Sequence, residues 1–149
     1  ILSIDASSLA ADQLFVVPTH IGAVATNGSG TFFGADFDSK RIFVWSITGE
    51  EIMVIANPTT IAYQDMEWYQ DRLYCSGVDK RDRKKGRVDA YSYAESTGTL
   101  ELQQSVPLPA IDRKTNLGRE GMTIYSDTFL FLPEDDSHTT LYAFGGPMQ

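Results

Sequence analysis

Apolar residues in this chain come in short runs, often alternating with polar ones, and turn residues separate the runs. Thr31–Asp36, Arg41–Ser46 and Glu51–Ile55 form a first set, broken by Phe37-Asp38-Ser39-Lys40 and Thr48-Gly49-Glu50. A second set is Asp65–Tyr69, Arg72–Val78, Arg87–Tyr93 and Thr99–Val106, with turns at Gln70-Asp71 and Ser96-Thr97-Gly98. A third is Gly121–Tyr125, Thr128–Leu132 and Thr139–Phe144, with a turn at Ser126-Asp127. Phe, Ile, Val, Trp, Tyr and Thr dominate the runs, and such residues suit a pleated, half-buried surface. No segment keeps the i, i+3, i+4, i+7 spacing long enough for an amphipathic helix. One short helical turn is expected over Asp5–Ala11, and Asn27-Gly28 is expected to make a type I′ hairpin turn.

The sets repeat. Arg41, Arg87 and Thr139 each open a corresponding strand, which gives a period of about 50 residues with three or four short strands per unit, the pattern of a propeller blade. The chain is therefore predicted to be a single all-β domain of three propeller-like repeats, over approximately 19–56, 57–108 and 109–149. The third lacks its outer strand, while Gln13–Pro18 reads as a spare N-terminal strand able to complete a blade. Three blades do not close a ring, since propellers have typically four to eight. Two copies would make six, in a head-to-tail homodimer. The chain also opens at Ile1 without Met, so the alternative expectation is half of a cleaved six-bladed chain.

Composition narrows the function classes. The 149 residues hold 12 Lys and Arg against 20 Asp and Glu, for a net charge of −8. That surface argues against general nucleic-acid binding, whose affinity comes largely from neutralising phosphates. No apolar run reaches the roughly 18 residues of a membrane span, and the first residues lack the basic and apolar regions of an intact signal peptide. A soluble protein, secreted or periplasmic, is the expectation for its location. No nucleotide-binding glycine loop and no paired-histidine zinc spacing occur, His20 and His138 being the only histidines. The single cysteine, Cys75, sits in an apolar strand and reads as a buried small hydrophobe.

Two segments, Asp65-Met66-Glu67-Trp68-Tyr69-Gln70-Asp71-Arg72-Leu73-Tyr74 and Arg119-Glu120-Gly121-Met122-Thr123-Ile124-Tyr125, resemble the inner-strand motif of six-bladed propellers of the phytase-like esterase and senescence-marker/gluconolactonase (NHL-like) group. Glu120-Gly121-Met122 matches the motif's Glu-Gly-hydrophobic element; Glu67 matches its acid, with Trp68 in place of the glycine. The resemblance implies a central channel holding Ca2+ or another divalent cation, with Glu67 and Glu120 as ligands. Calcium takes six to eight oxygens, which strand ends of several blades would supply together. The plainer reading is that each carboxylate accepts hydrogen bonds at a strand start.

A second feature is basic. Lys80, Arg81, Arg83, Lys84, Lys85 and Arg87 cluster in one loop and hold six of the twelve basic residues. Such a loop suits an anionic ligand or an acidic partner, or is simply a solvated hairpin tip. Glu134-Asp135-Asp136-Ser137-His138 is a further acidic tip without the glycine and terminal glutamate of an EF-hand loop. Two function classes follow: a binding module for a small ligand or protein that works as an oligomer, or a divalent-cation-dependent lactonase or esterase with its site in the channel. No nucleophile elbow is present, so whether the chain is an enzyme stays open at this level.

Overall fold

The computed structural model describes residues 1–111, 116–134 and 140–145. It is an all-β protein of repeated antiparallel sheets that form no closed barrel among the described residues. A small hairpin pairs β1 (Leu2–Ile4) with β2 (Ala11–Gln13). Sheet 1 follows as a meander of β3 (Ile21–Thr26), β4 (Thr31–Asp36), β5 (Arg41–Ser46) and β6 (Glu51–Ala56). Sheet 2 repeats it with β7 (Ile61–Tyr69), β8 (Arg72–Asp79), β9 (Gly86–Ala94) and β10 (Thr99–Leu108). Sheet 3 has β11 (Gly121–Tyr125), β12 (Thr128–Leu132) and β13 (Tyr142–Gly145). A 3-10 turn, Leu117–Arg119, leads into it.

Local chemistry sets the hairpins. The two-residue turns Gln70-Asp71 and Ser126-Asp127 have positive φ at both residues, 47° and 59° in one and 47° and 62° in the other. These are the primed turns whose twist matches antiparallel strands. Asn27-Gly28 does lie in a hairpin loop, but not as a type I′ pair. The loop runs over 27–30, and only Gly28 and Gly30 have positive φ. The Asn27 side chain is the reason, because its Oδ1 accepts the amides of Ser29 at 2.9 Å and Thr31 at 3.0 Å.

The N-terminal expectations change more. The strand is Ala11–Gln13 rather than Gln13–Pro18, and its partner is Leu2–Ile4. The segment expected as a helical turn is the loop of this hairpin. Asp5 Oδ1 accepts the amides of Ser7 and Ser8 at 3.1 and 2.7 Å, a side-chain alternative to helical bonding, and only Leu9 N–H to Asp5 O is of the i to i+4 kind. Downstream, Phe15 and Val17 turn onto sheet 1 instead of joining a sheet. β3 is a strand that the residue pattern did not announce, because Gly22, Ala23 and Ala25 give it little bulk.

Packing follows from strand alternation, which sends successive side chains to opposite faces. The forward face of sheet 1 (Ala23, Phe33, Ala35, Ile42, Val44) meets the rear face of sheet 2 (Met66, Leu73, Cys75, Tyr91), with Trp68 and Tyr93 beside them. The forward face of sheet 2 (Tyr74, Val88, Ala90) meets the rear face of sheet 3 (Met122, Ile124, Phe129, Phe131). The rear face of sheet 1 (Phe43, Trp45) is covered by Phe15, with Ile1 and Val17 packed alongside.

Candidate functional site

The cross-strand registers align the three sheets residue by residue. Ala23 pairs with Ala35, Asp65 with Ser76, and Gly121 with Leu132. Two residues on, Ala25 pairs with Phe33, Glu67 with Tyr74, and Thr123 with Leu130. Register shifts leave Gly22 and Gln64 unpaired just before Ala23 and Asp65, and Glu120 stands in the same place before Gly121. Glu67 and Glu120, expected as a ligand pair, thus occupy different repeat positions: Thr123 is the counterpart of Glu67, and Gln64 that of Glu120.

Their surroundings differ accordingly. Glu67 Oε2 accepts the Ile124 amide at 2.8 Å, and its neighbour on the same face, Asp65, accepts the Met122 amide at 2.8 Å. These amides belong to the edge of β11 not paired to β12. The two carboxylates therefore satisfy backbone donors of a strand edge that would otherwise lack partners. Burial pushes the Asp65 carboxyl above its ordinary value, while the amides of Met122 and Met66 pull against that shift. Among the described residues no group of three or more His, Cys, Asp or Glu could hold a metal ion. Glu67 gives Oε2 to a backbone amide, and the calcium that the resemblance implies would need six to eight oxygens gathered from other residues as well.

Glu120 instead lines a cavity of about 570 Å3. Phe37 and Asp38 come from the β4–β5 loop, Ala62 and Gln64 from β7, Val78 and Asp79 from β8. Lys80 and Arg83 come from the β8–β9 loop, and Arg119 and Glu120 from the approach to β11. All three sheets contribute through the same end of the meander.

The basic loop is a built structure. Asp79 Oδ1 accepts the Arg81 and Asp82 amides at 2.7 and 3.3 Å, and its Oδ2 accepts the Thr60 hydroxyl at 2.7 Å. The Thr60 hydroxyl bond, followed by the Arg81 amide, holds the Asp79 carboxyl below its usual range. Asn116, fully buried, donates to Lys84 O at 2.9 Å and Leu108 O at 3.2 Å and accepts from the Gly118 amide at 3.0 Å. Gly86 makes room for it, since a Cβ there would lie 1.9 Å from Asn116 Oδ1. Of the six basic residues expected to bind, Lys80 and Arg83 reach the cavity lining. Arg81, Lys84, Lys85 and Arg87 do not line it, and Lys85 makes an exposed ion pair with Asp82 at 3.6 Å.

Sequence reasoning missed Asp38, Gln64, Arg119 and the anchor Asn116. Arg119 pairs with Glu120 at 3.5 Å and with Glu134 at 3.6 Å, whereas Lys80 and Arg83 enter no ion pair among the described residues. Asp135–His138 of the acidic tip, and with them the expected strand's start at Thr139, lie outside the described residues. Cys75 is fully buried, and burial, with Asp89 and Asp65 adding to it, pushes its thiol well up. It stays protonated, unlike a reactive thiolate.

Among the described residues no helix is long and apolar enough to cross a membrane. No family model matches the chain. No curated protein matches it either. Among solved structures, it is similar to the crystal structure of the computationally designed Ika4 protein, with a TM-score of 0.48 and 11% identity over 91% of this chain and 96% of that one. A likeness at that level carries no statement about function.

Proposed function

We propose that this chain is a propeller-type binding module whose small ligand occupies the cavity between the β4–β5 loop, the β8–β9 loop and the approach to β11. One observation carries the reading: successive repeats place unlike side chains around a single cavity of about 570 Å3, within the usual range of roughly 300–1,000 Å3 for ligand sites. Lys80 and Arg83 supply positive charge without an ion-pair partner among the described residues. Asp38 and Glu120 supply negative charge, and Gln64 supplies an amide. A small molecule with a carboxylate or phosphate and a separate hydrogen-bond donor or ammonium group matches that lining, with arginine favouring the planar anion. The hydrolase reading needs Glu67 and Glu120 at one centre, and their different repeat positions favour binding instead.

The test is an amide-resolved NMR titration with glycine, glutamate, citrate and inorganic phosphate as probes. Shifts centred on Gln64, Lys80, Arg83 and Glu120 are expected for at least one probe, and they vanish in a Lys80→Ala, Arg83→Ala double variant. Shifts elsewhere, or shifts untouched by that variant, would overturn the assignment.

A further inference from the structure

The loop between β4 and β5 carries one half of an exposed aromatic pair. His20 and Phe37 stack with ring centroids 4.7 Å apart and planes 1° from parallel. Both residues are exposed, Phe37 by 55%. Backbone contacts, and not burial, hold the pair in place. The Phe37 amide donates to His20 O at 2.8 Å. Gly22 lets the Phe37 backbone lie close, since a Cβ there would stand 3.2 Å from Phe37 Cα. Beyond Phe37, the buried Asp36 carboxylate accepts the Lys40 and Arg41 amides at 2.6 and 3.2 Å and so fixes the rest of the loop. The platform is built before any ligand arrives, which lowers the ordering cost of binding.

Phe37 also stands where two cavities meet. Besides the cavity of about 570 Å3, it lines a second of about 460 Å3 together with His20, Lys40 and Arg41, and Asp38 is common to both. The charges of the second cavity are matched internally: Lys40 pairs with Asp38 at 2.8 Å and Arg41 with Asp36 at 3.0 Å. What it offers a ligand is the aromatic pair. The first cavity offers Lys80 and Arg83, which enter no ion pair among the described residues. The two sets act on the same loop. The bond from Lys40, with its charge, holds the Asp38 carboxyl below its ordinary range, and the charge of Lys80 adds to the effect.

We infer that the ligand of this site is an anionic group attached to a planar aromatic ring, with the anion on Lys80 and Arg83 and the ring against the Phe37–His20 pair. The inference rests on the cavity reading above and supplies the second half of the ligand. Stacked aromatic rings attract each other beyond what their buried area contributes, so a flat ring gains more here than a saturated ring of similar size. The two basic side chains take a phosphate or a carboxylate.

The experiment is an amide-resolved NMR titration of the full chain with methyl, cyclohexyl and phenyl phosphate. All three are expected to shift Lys80 and Arg83. Phenyl phosphate is expected to bind about two- to tenfold tighter than cyclohexyl phosphate, the range of one aromatic stack, and to shift His20 and Phe37 as well. Phe37→Ala should abolish that advantage, and Phe37→Tyr should keep it. Equal affinity of the phenyl and cyclohexyl esters for the wild type overturns the inference and leaves the cavity reading standing. An advantage that persists in Phe37→Ala also overturns it, because the ring would then lie elsewhere. If none of the three shifts Lys80 and Arg83, the cavity reading falls and this inference falls with it.

Discussion

The two internal junctions use the same repeat positions and opposite chemistry. Between sheets 1 and 2 the forward face carries Ala23 and Ala25, and β3 lies beside β7, where a Cβ on Gly22 would meet Tyr63 O at an ordinary contact distance of 3.6 Å. Phe33 fills the space beyond, stacked on Trp68 with ring centroids 5.1 Å apart and edge-on to Tyr93 at 5.2 Å. Across that junction the Tyr63 amide donates to the buried Ser39 hydroxyl at 2.7 Å, whereas the Met66 amide is met by the neighbouring Asp65 carboxylate at 2.8 Å. Between sheets 2 and 3 the same positions are Asp65 and Glu67, and their carboxylates span to the Met122 and Ile124 amides. Tyr69 extends the series to Asp127, and Tyr74 packs edge-on against Phe129 at 5.5 Å. The first junction is held by dispersion and apolar burial, the second partly by charge-assisted bonds to a strand edge. An inner-strand acid therefore need not be a metal ligand, because it can serve as the partner of an edge that has no neighbouring strand.

The comparison is broken most severely at Phe33. Phe33→Ala leaves a cavity among Trp68, Tyr93 and the alanines and is expected to cost about 3–5 kcal/mol, read by urea unfolding. A loss below about 1 kcal/mol would mean that the first junction is not the apolar anchor described.

Glu67 comes next. Glu67→Ala strands the Ile124 amide and is expected to cost about 1–3 kcal/mol, whereas Glu67→Gln keeps an accepting oxygen and costs less. Hydrogen exchange at Ile124 should quicken in the alanine variant alone. Equal effects of both substitutions would show that the carboxylate acts by its charge and not as an acceptor.

A smaller effect is expected at Asp65 through pH. Burial raises the folded-state pKa of Asp65 above its unfolded value, so its contribution is fully present below the unfolded pKa and is lost as pH rises through the folded one. Wild type should therefore gain stability relative to Asp65→Asn as pH falls from neutral toward 4, measured by unfolding at each pH. An opposite slope would mean that the two amide bonds, and not burial, dominate at that carboxyl.

The smallest effect is expected from Tyr69→Phe. It removes an exposed bond to Asp127 and should change stability by no more than about 0.5 kcal/mol. A larger loss would move the weight of the second junction outward to the hairpin tips.

Much of the strand plan was legible. Thr31–Asp36, Arg41–Ser46, Gly121–Tyr125 and Thr128–Leu132 form as the residue pattern reads, because alternation and two-residue turns act over a few neighbours. β3 was not, since Gly22, Ala23 and Ala25 carry little strand signal and it becomes a strand by pairing with β4. Arg83 and Glu120 were singled out from opposite arguments, one from a basic cluster and one from a motif, yet they line one cavity. Glu67 and Glu120 were linked by motif and are set apart by the register.

By itself the sequence determined the repeated meander: most strands of each set, which of their faces are apolar, and which turns can reverse the chain. Those choices depend on backbone preferences and period-two burial, which are local. Tertiary structure alone decided which acids meet backbone amides and which line the cavity. It also decided that the N-terminal segment lies over sheet 1 through Phe15 while β1 and β2 stay exposed. Each of these depends on distances between residues far apart in the chain, such as the 57 positions between Glu67 and Ile124. Such distances are set by how whole sheets pack, and no local pattern encodes them.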